Sequence, residues 1–207
     1  MKSSFSIQES LKFGWEQTKT HSKVLFQILL TIFALQVAQA IVGSTIQHEL
    51  IGILATIAIA IAETVVGVGL TLVTLKIAKH ERVTYADIVP PLQLIWSYVL
   101  ALLLAGLITA VGFILLIVPG IYFALRFSMV RYAILEGSGV MASLEKSGKL
   151  THGVKWKLLG FFLVLGFINI LGAILFMVGL LVTIPVTMIA YAHVYQKLHT
   201  HHHAHHA

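Results

Sequence analysis

The sequence contains no cysteine, which excludes disulfides, thiol chemistry and any Cys-based zinc site. Charge is scarce as well. Only 11% of the residues are charged, against about 25% in ordinary globular domains, and just eight are acidic. Few carboxylates are therefore available for acid–base or metal chemistry, and no Gly-rich phosphate loop is present. What the chain does have is apolar surface: 58% of its residues are hydrophobic. A soluble fold of this length cannot hide that much, so the expected class is an all-α integral membrane bundle.

The formal charge of +6 does not point to nucleic acid. The Lys and Arg residues are mostly short flanks of apolar runs, a distribution that belongs to membrane topology and anionic headgroups.

A bilayer core about 30 Å thick needs roughly 20 apolar helical residues. Six runs approach this, at 24–43, 51–75, 96–118, 120–136, 156–178 and 180–197. The fourth and sixth are short and follow their predecessors after Pro119-Gly120 and Gly179, which read as tight reversals. Residues 1–198 thus form one transmembrane domain, and 199–207 a His-rich tail. Lys2, Lys12, Lys19, Lys23, Lys76, Lys79, Arg82, Lys146, Lys149, Lys155, Lys157 and Lys197 all fall on one side of such a bundle. The opposite connections carry no Lys or Arg. The positive-inside rule then puts both termini in the cytoplasm of a plasma (inner) membrane protein. Residues 24–35 followed by Ala38-Gln39-Ala40 imitate a signal peptide, but the 23 preceding residues are long for an n-region. The run is read as a membrane helix.

The chain repeats itself. A shift of 60 lays 96–118 on 156–178 with eight of 23 positions identical, among them Trp96/Trp156, Gly106/Gly166 and Gly112/Gly172. Each Trp is expected at the membrane interface and each of the four glycines at a helix–helix contact. A second echo places Ser10-Leu11, Thr18 and Leu25 on Ser143-Leu144, Thr151 and Leu158. In the first of these segments, 5–20, Ile7, Leu11 and Trp15 recur opposite Glu9, Lys12, Glu16 and Lys19, as in an interfacial helix. The implied architecture is three copies of interfacial segment plus helical hairpin, a plan used by transporters and by inert scaffolds alike.

The second half carries a further pattern. Ile117-Val118-Pro119-Gly120-Ile121-Tyr122 runs to Arg126, followed by Ser143-Leu144-Glu145-Lys146-Ser147, Leu150-Thr151 and Gly153. Trp156-Lys157-Leu158, the stretch 166–172, the stretch 179–185 and Tyr195 complete it. In these residues the chain resembles the glycerophosphoryl diester phosphodiesterase membrane-domain family and its uncharacterised relatives. The resemblance implies a six-helix membrane fold. It implies no reaction, because the catalytic domain of the named members is a separate soluble module, which this chain lacks.

Among candidate functional residues Glu63 is the most informative, because a carboxylate at mid-span normally faces protein or water. A stripe of Gly52, Thr56, Ala60, Gly67 and Thr74 aims it into the bundle. Arg126 and Arg131 are the expected partners, Arg131 nearer in depth. Three readings stand: a structural ion pair, a proton or anion site, or a protonated Glu63 without charged partner. Gln36, Gln39, Thr109 and Asn169 are expected to hydrogen-bond between helices. In the tail, His199, His201, His202, His203, His205 and His206 offer imidazole to an adventitious divalent metal, without fixed geometry or an orienting outer shell; no resident cofactor is expected. Glu136-Gly137-Ser138-Gly139 reads as a helix stop. No catalytic constellation emerges. The expected function is a non-enzymatic scaffold or binding protein for membrane lipids, a membrane-protein partner or a second copy of itself. A small transporter or channel using Glu63 is the alternative, and metal handling through the tail a further one.

Overall fold

The computed structural model describes residues 5–45, 49–175 and 179–204. The described residues are mainly helical, and none of them forms a strand. Helices α1 (Ile7–Thr20), α2 (Ser22–Thr45) and α3 (Glu49–Ala78) are followed by a short 3-10 turn, Tyr85–Ile88. Then come α4 (Leu92–Leu115), α5 (Ile117–Arg126), α6 (Val130–Leu135), α7 (Val140–Leu150), α8 (Lys155–Ile174) and α9 (Leu180–Ala204).

Five segments are long and apolar enough to cross a membrane: Ser22–Ser44, Leu50–Ala78, Leu92–Leu115, Ile117–Leu135 and Lys155–Ile174. The fourth begins before Pro119-Gly120. The proline sits in the first turn of α5, where its missing N–H is no loss, so Leu116 rather than Pro119 makes the reversal. The expected sixth run is not among the five. Thr183, Pro185, Thr187, His193, Gln196 and Lys197 dilute its hydropathy, and α9 buries two of them, Thr187 and His193, beside the fully covered Ile189, Ala190, Ala192, Val194 and Tyr195.

The helices converge at one end. The C-terminal parts of α3, α6 and α9 meet there, enclosed by α1, α7 and the 3-10 turn. This end carries Lys76, Lys79, Lys146 and Lys197 and is called the basic end; α2, α4 and α8 run from it to the hairpin end. Small residues permit the close packing. A Cβ on Gly14 of α1 would collide with the Val186 carbonyl of α9 and come within 3.1 Å of the Ala190 Cβ. Ser10, Gly14 and Thr18 are the buried face of α1. Ile7 and Leu11 are half-buried, and Trp15 is 46% exposed. The apolar stripe therefore borders the docking face, with Ile7 and Leu11 packed against the edge of the core and Trp15 turned outward.

Burial follows the two sequence echoes. Tyr98, Ala101, Ala105 and Gly112 are buried in α4, and the positions 60 later, Leu158, Phe161, Leu165 and Gly172, are the buried ones of α8. Likewise Ser10, Gly14, Thr18, Leu25 and Ile28 match the buried Ser143, Ser147, Thr151, Leu158 and Phe161, an offset of 133 that also separates the starts of α1 and α7 and of α2 and α8. Of the four glycines expected at contacts, two are there. A Cβ on Gly112 would lie 2.8 Å from Phe123 and 3.1 Å from the Gly120 Cα, and one on Gly172 would strike Thr183 and approach Gly179 to 3.2 Å. Gly106 and Gly166 have open space instead, because they lie on the outward side of α4 and α8.

Candidate functional site

Between α5 and α6 the chain leaves the helix at residues 127–129, with no glycine or proline to cause it. Backbone groups freed inside an apolar bundle must find partners within the protein. Here α7 and α9 supply them. The Ser147 hydroxyl donates to the Arg126 carbonyl at 2.7 Å and accepts from the Met129 N–H at 3.1 Å. The Tyr191 hydroxyl donates to the Ser128 carbonyl. The break puts Arg126 and Arg131 on either side of a supported kink.

Neither arginine meets Glu63. The expected ion pair is not formed: Glu63, half-buried on α3, accepts a hydrogen bond from the Gln36 amide of α2 at 3.0 Å. The geometric reason is the order of packing. α2 runs along α3, with Leu25 and Ile28 packed among Val66, Leu70, Val73 and Ile77 and Gln36 opposite Glu63, whereas Glu136, at the end of α6, reaches α3 only beyond its last turn, at Lys79. Arg131 instead stacks over Tyr191, its guanidinium carbon 5.6 Å from the ring centroid, within a group that includes Tyr132, whose ring lies 5.0 Å from that of Tyr191. Arg126 lies exposed beside the notch at Gly148, where a Cβ would come 3.1 Å from its Nε. No carboxylate is within 4 Å of either arginine among the described residues.

Arg131 lines a cleft of about 830 Å³ between α4, α5 and α8 that is open on its outward side. Leu102, Phe113, Ile121 and Phe162 form apolar walls, and Thr109, Ser128 and Tyr191 add a little polarity. Gly106 is part of this wall, which explains its open surroundings. Asn169 joins α8 to α9 through its amide and the Thr187 hydroxyl at 3.2 Å, and Gln36 joins α2 to α3. Thr109 departs from that expectation, since its hydroxyl bonds back to the Ala105 carbonyl of its own helix at 2.7 Å.

The sequence reading missed the strongest polar centre. Gly137, at φ +86°, ends α6 as a left-handed cap, and this stop delivers Glu136 into the basic end. Its carboxylate takes Lys79 at 2.7 Å, Lys146 at 2.8 Å and the Tyr195 hydroxyl at 2.5 Å. The side chain is 9% exposed. Burial alone would raise its pKa, but the bonds from Lys146, Lys79 and Tyr195 outweigh it and bring the carboxyl down to about 2. A signal for it did exist, since Glu136 is the one acid among the apolar residues just before a basic stretch. Around it, Lys76 binds Asp87 at 2.6 Å and Lys197 binds Glu9 at 2.9 Å. The Lys197 ammonium, bonded to Glu9, holds that carboxyl below its ordinary range.

Part of the tail continues α9. His199 stacks on Tyr195 at 5.7 Å and reaches within 3.8 Å of Glu136. His201, His202 and His203 follow on the same helix; His205 and His206 lie outside the described residues. Among the described residues no three His, Asp or Glu side chains are gathered in a metal-holding group. Compared with family models, curated proteins and solved structures, the chain finds no match.

Proposed function

We propose that this chain is a multi-pass protein of the plasma membrane that acts, without catalysing a reaction, as a scaffold or binding protein for lipid or a membrane partner. Six helices cross the bilayer in this reading, as three hairpins each led by a short helix, with both termini in the cytoplasm. The recurrence of buried positions at offsets of 60 and 133 supports the repeat, and the burial of α9 supports a sixth crossing at the bundle centre. The resemblance to the phosphodiesterase membrane-domain family belongs to the same proposal. Its residues coincide with structural devices here: Gly120 against Gly112, Gly179 against Gly172, and Ser147 at the break.

The observation that carries the binding reading is the 830 Å³ cleft, whose apolar walls open sideways, where a bilayer would supply an acyl chain. The carboxylates are poorly placed for chemistry: Glu136 is saturated by donors, and Glu63 has an amide for a neighbour. Lipids retained through detergent purification should be countable by native mass spectrometry, at stoichiometric rather than bulk amounts. A fully delipidated protein that keeps its fold and gains no lipid on re-addition would end this reading.

The Gln36–Glu63 bond sustains the second reading, a small transporter or channel with a site between α2 and α3. Proteoliposome flux separates the two. We expect none above empty vesicles, whereas flux abolished by Glu63→Gln would transfer the function to transport.

A further inference from the structure

The cleft beside Arg131 is not the only opening. Two further hollows adjoin each other near the start of α8. The first, of about 540 Å³, is lined by Arg126, Lys149 and Lys155, with Glu145 and two histidines, His152 and His202. The second, of about 420 Å³, is lined by Val118, Ile121, Leu125, Trp156 and Leu159. Tyr122 and Lys155 belong to both, so a basic chamber and an apolar one share a wall.

The charge in the basic chamber is unbalanced. Glu145 is engaged by Lys149 at 2.6 Å. Arg126 and Lys155 have no carboxylate within 4 Å among the described residues. Both are held in place by other means: Arg126 fits the Gly148 notch, and the Lys155 ammonium sits 4.6 Å over the Tyr122 ring. Two oriented cations in excess of acid suit one phosphodiester. Trp156, 86% exposed at the foot of α8, marks headgroup depth, and the apolar chamber extends from there along α5 and α8.

We propose that these joined hollows bind one anionic phospholipid, its phosphate between Arg126 and Lys155 and an acyl chain against Ile121, Leu125 and Leu159. This rests on the lipid-binding reading above and gives it a site and a lipid class. Charge complementarity selects the occupant. A zwitterionic lipid carries the same phosphodiester but adds a quaternary ammonium that two nearby cations repel, and a free phosphate would leave the apolar chamber unfilled.

The test uses the full chain in detergent, titrated with phosphatidylglycerol or phosphatidylcholine of identical acyl chains and read by native mass spectrometry. Wild type should prefer phosphatidylglycerol. Arg126→Gln/Lys155→Gln should bind it about 25-fold more weakly, a factor of about five per cation at an anionic headgroup. Lys19→Gln/Lys23→Gln, the same loss of charge elsewhere, should change it less than about threefold. Leu159→Trp, which fills the apolar chamber without touching charge, should also weaken binding. Equal losses in the two charge variants would reduce the effect to bulk surface potential and overturn the site. Unchanged binding by Leu159→Trp would overturn it too, as would displacement of the lipid by millimolar inorganic phosphate. Should the Arg126/Lys155 variant not fold, judged by circular dichroism and gel filtration, the Leu159→Trp and phosphate arms still decide. Wild type that binds neither lipid refutes the lipid-binding function itself, whereas preference for phosphatidylglycerol that survives every variant refutes only the assigned site.

Discussion

The two halves of α3 are alike in sequence and opposite in surroundings. Leu50, Ile53, Leu54, Ile57 and Ile61 are each half or more exposed, while Val68, Leu70, Val73, Leu75 and Ile77 are 5% exposed or less. α9 repeats the contrast, from Leu181 and Val182 at its start to Ile189 and Ala190. The molecule is tightly packed at its basic end and splayed at its hairpin end. Water would penalise the splayed half heavily, since each exposed Leu or Ile forgoes about 1.5–3 kcal/mol of burial. Inside a bilayer that penalty vanishes, because lipid tails are as apolar as leucine. Hydropathy therefore marks both halves as membrane helix and cannot say which half is packed. Packing is instead specified by small and hydroxyl side chains: Thr71 and Thr74 are buried in the second half of α3, and a Cβ on Gly69 would collide with the backbone of Ile88.

The sharpest way to break this contrast is at that glycine. Gly69→Val should cost about 3 kcal/mol or more in thermal unfolding in micelles, because backbone cannot yield as a flexible side chain can. A loss below about 1 kcal/mol would mean the basic end is not close-packed.

Next in size is Glu136→Gln. Removing a carboxylate that serves two lysines and a tyrosine should cost about 2 kcal/mol, tempered by the partial exposure of both lysines. The pH dependence sharpens the test. A carboxyl whose folded pKa lies near 2 instead of the ordinary 4.5 contributes stability that is complete above 4.5 and is lost as pH falls toward 2. Wild type should lose stability across that window, with the variant flatter, and parallel curves would show that the carboxylate is not the organising group.

The smallest effect belongs to the splayed half. Gly106→Ala and Gly166→Ala meet open space, so each should change stability by less than about 1 kcal/mol, in the favourable direction through helix propensity. A loss above that would place hidden contacts on the outward faces of α4 and α8.

Much of this was readable beforehand, for identifiable reasons. Apolar run length located five segments long enough to cross a membrane, and of the four glycines that the offset of 60 singled out, Gly112 and Gly172 stand at close contacts. Gly137 announced the end of α6. Other features left no local trace. The break at 127–129 lies in Phe-Ser-Met, which reads as continuous helix; it depends on Ser147 and Tyr191, far away in sequence. Arg126 and Arg131 invited pairing with Glu63 by depth alone, since helix neighbours are not encoded in depth. Gly106 and Gly166 matched their repeat yet line open surfaces, because a glycine conserved by position within a repeat need not be conserved for contact.

The uneven packing has a mechanical corollary. A membrane thinner or thicker than a helix must be met by tilt, bending or local deformation of the lipid. Hairpins clamped at one end by Glu136, Gly69 and Gly14, and held at the other within each pair by Gly112 against Gly120 and Gly172 against Gly179, behave as stalks rooted in a common base. Changes in bilayer thickness would be absorbed by the stalks fanning outward or drawing together, while the base and the cations around it keep their spacing. Spin-label distances across the hairpin ends should therefore vary with acyl chain length, and those across the basic end should not.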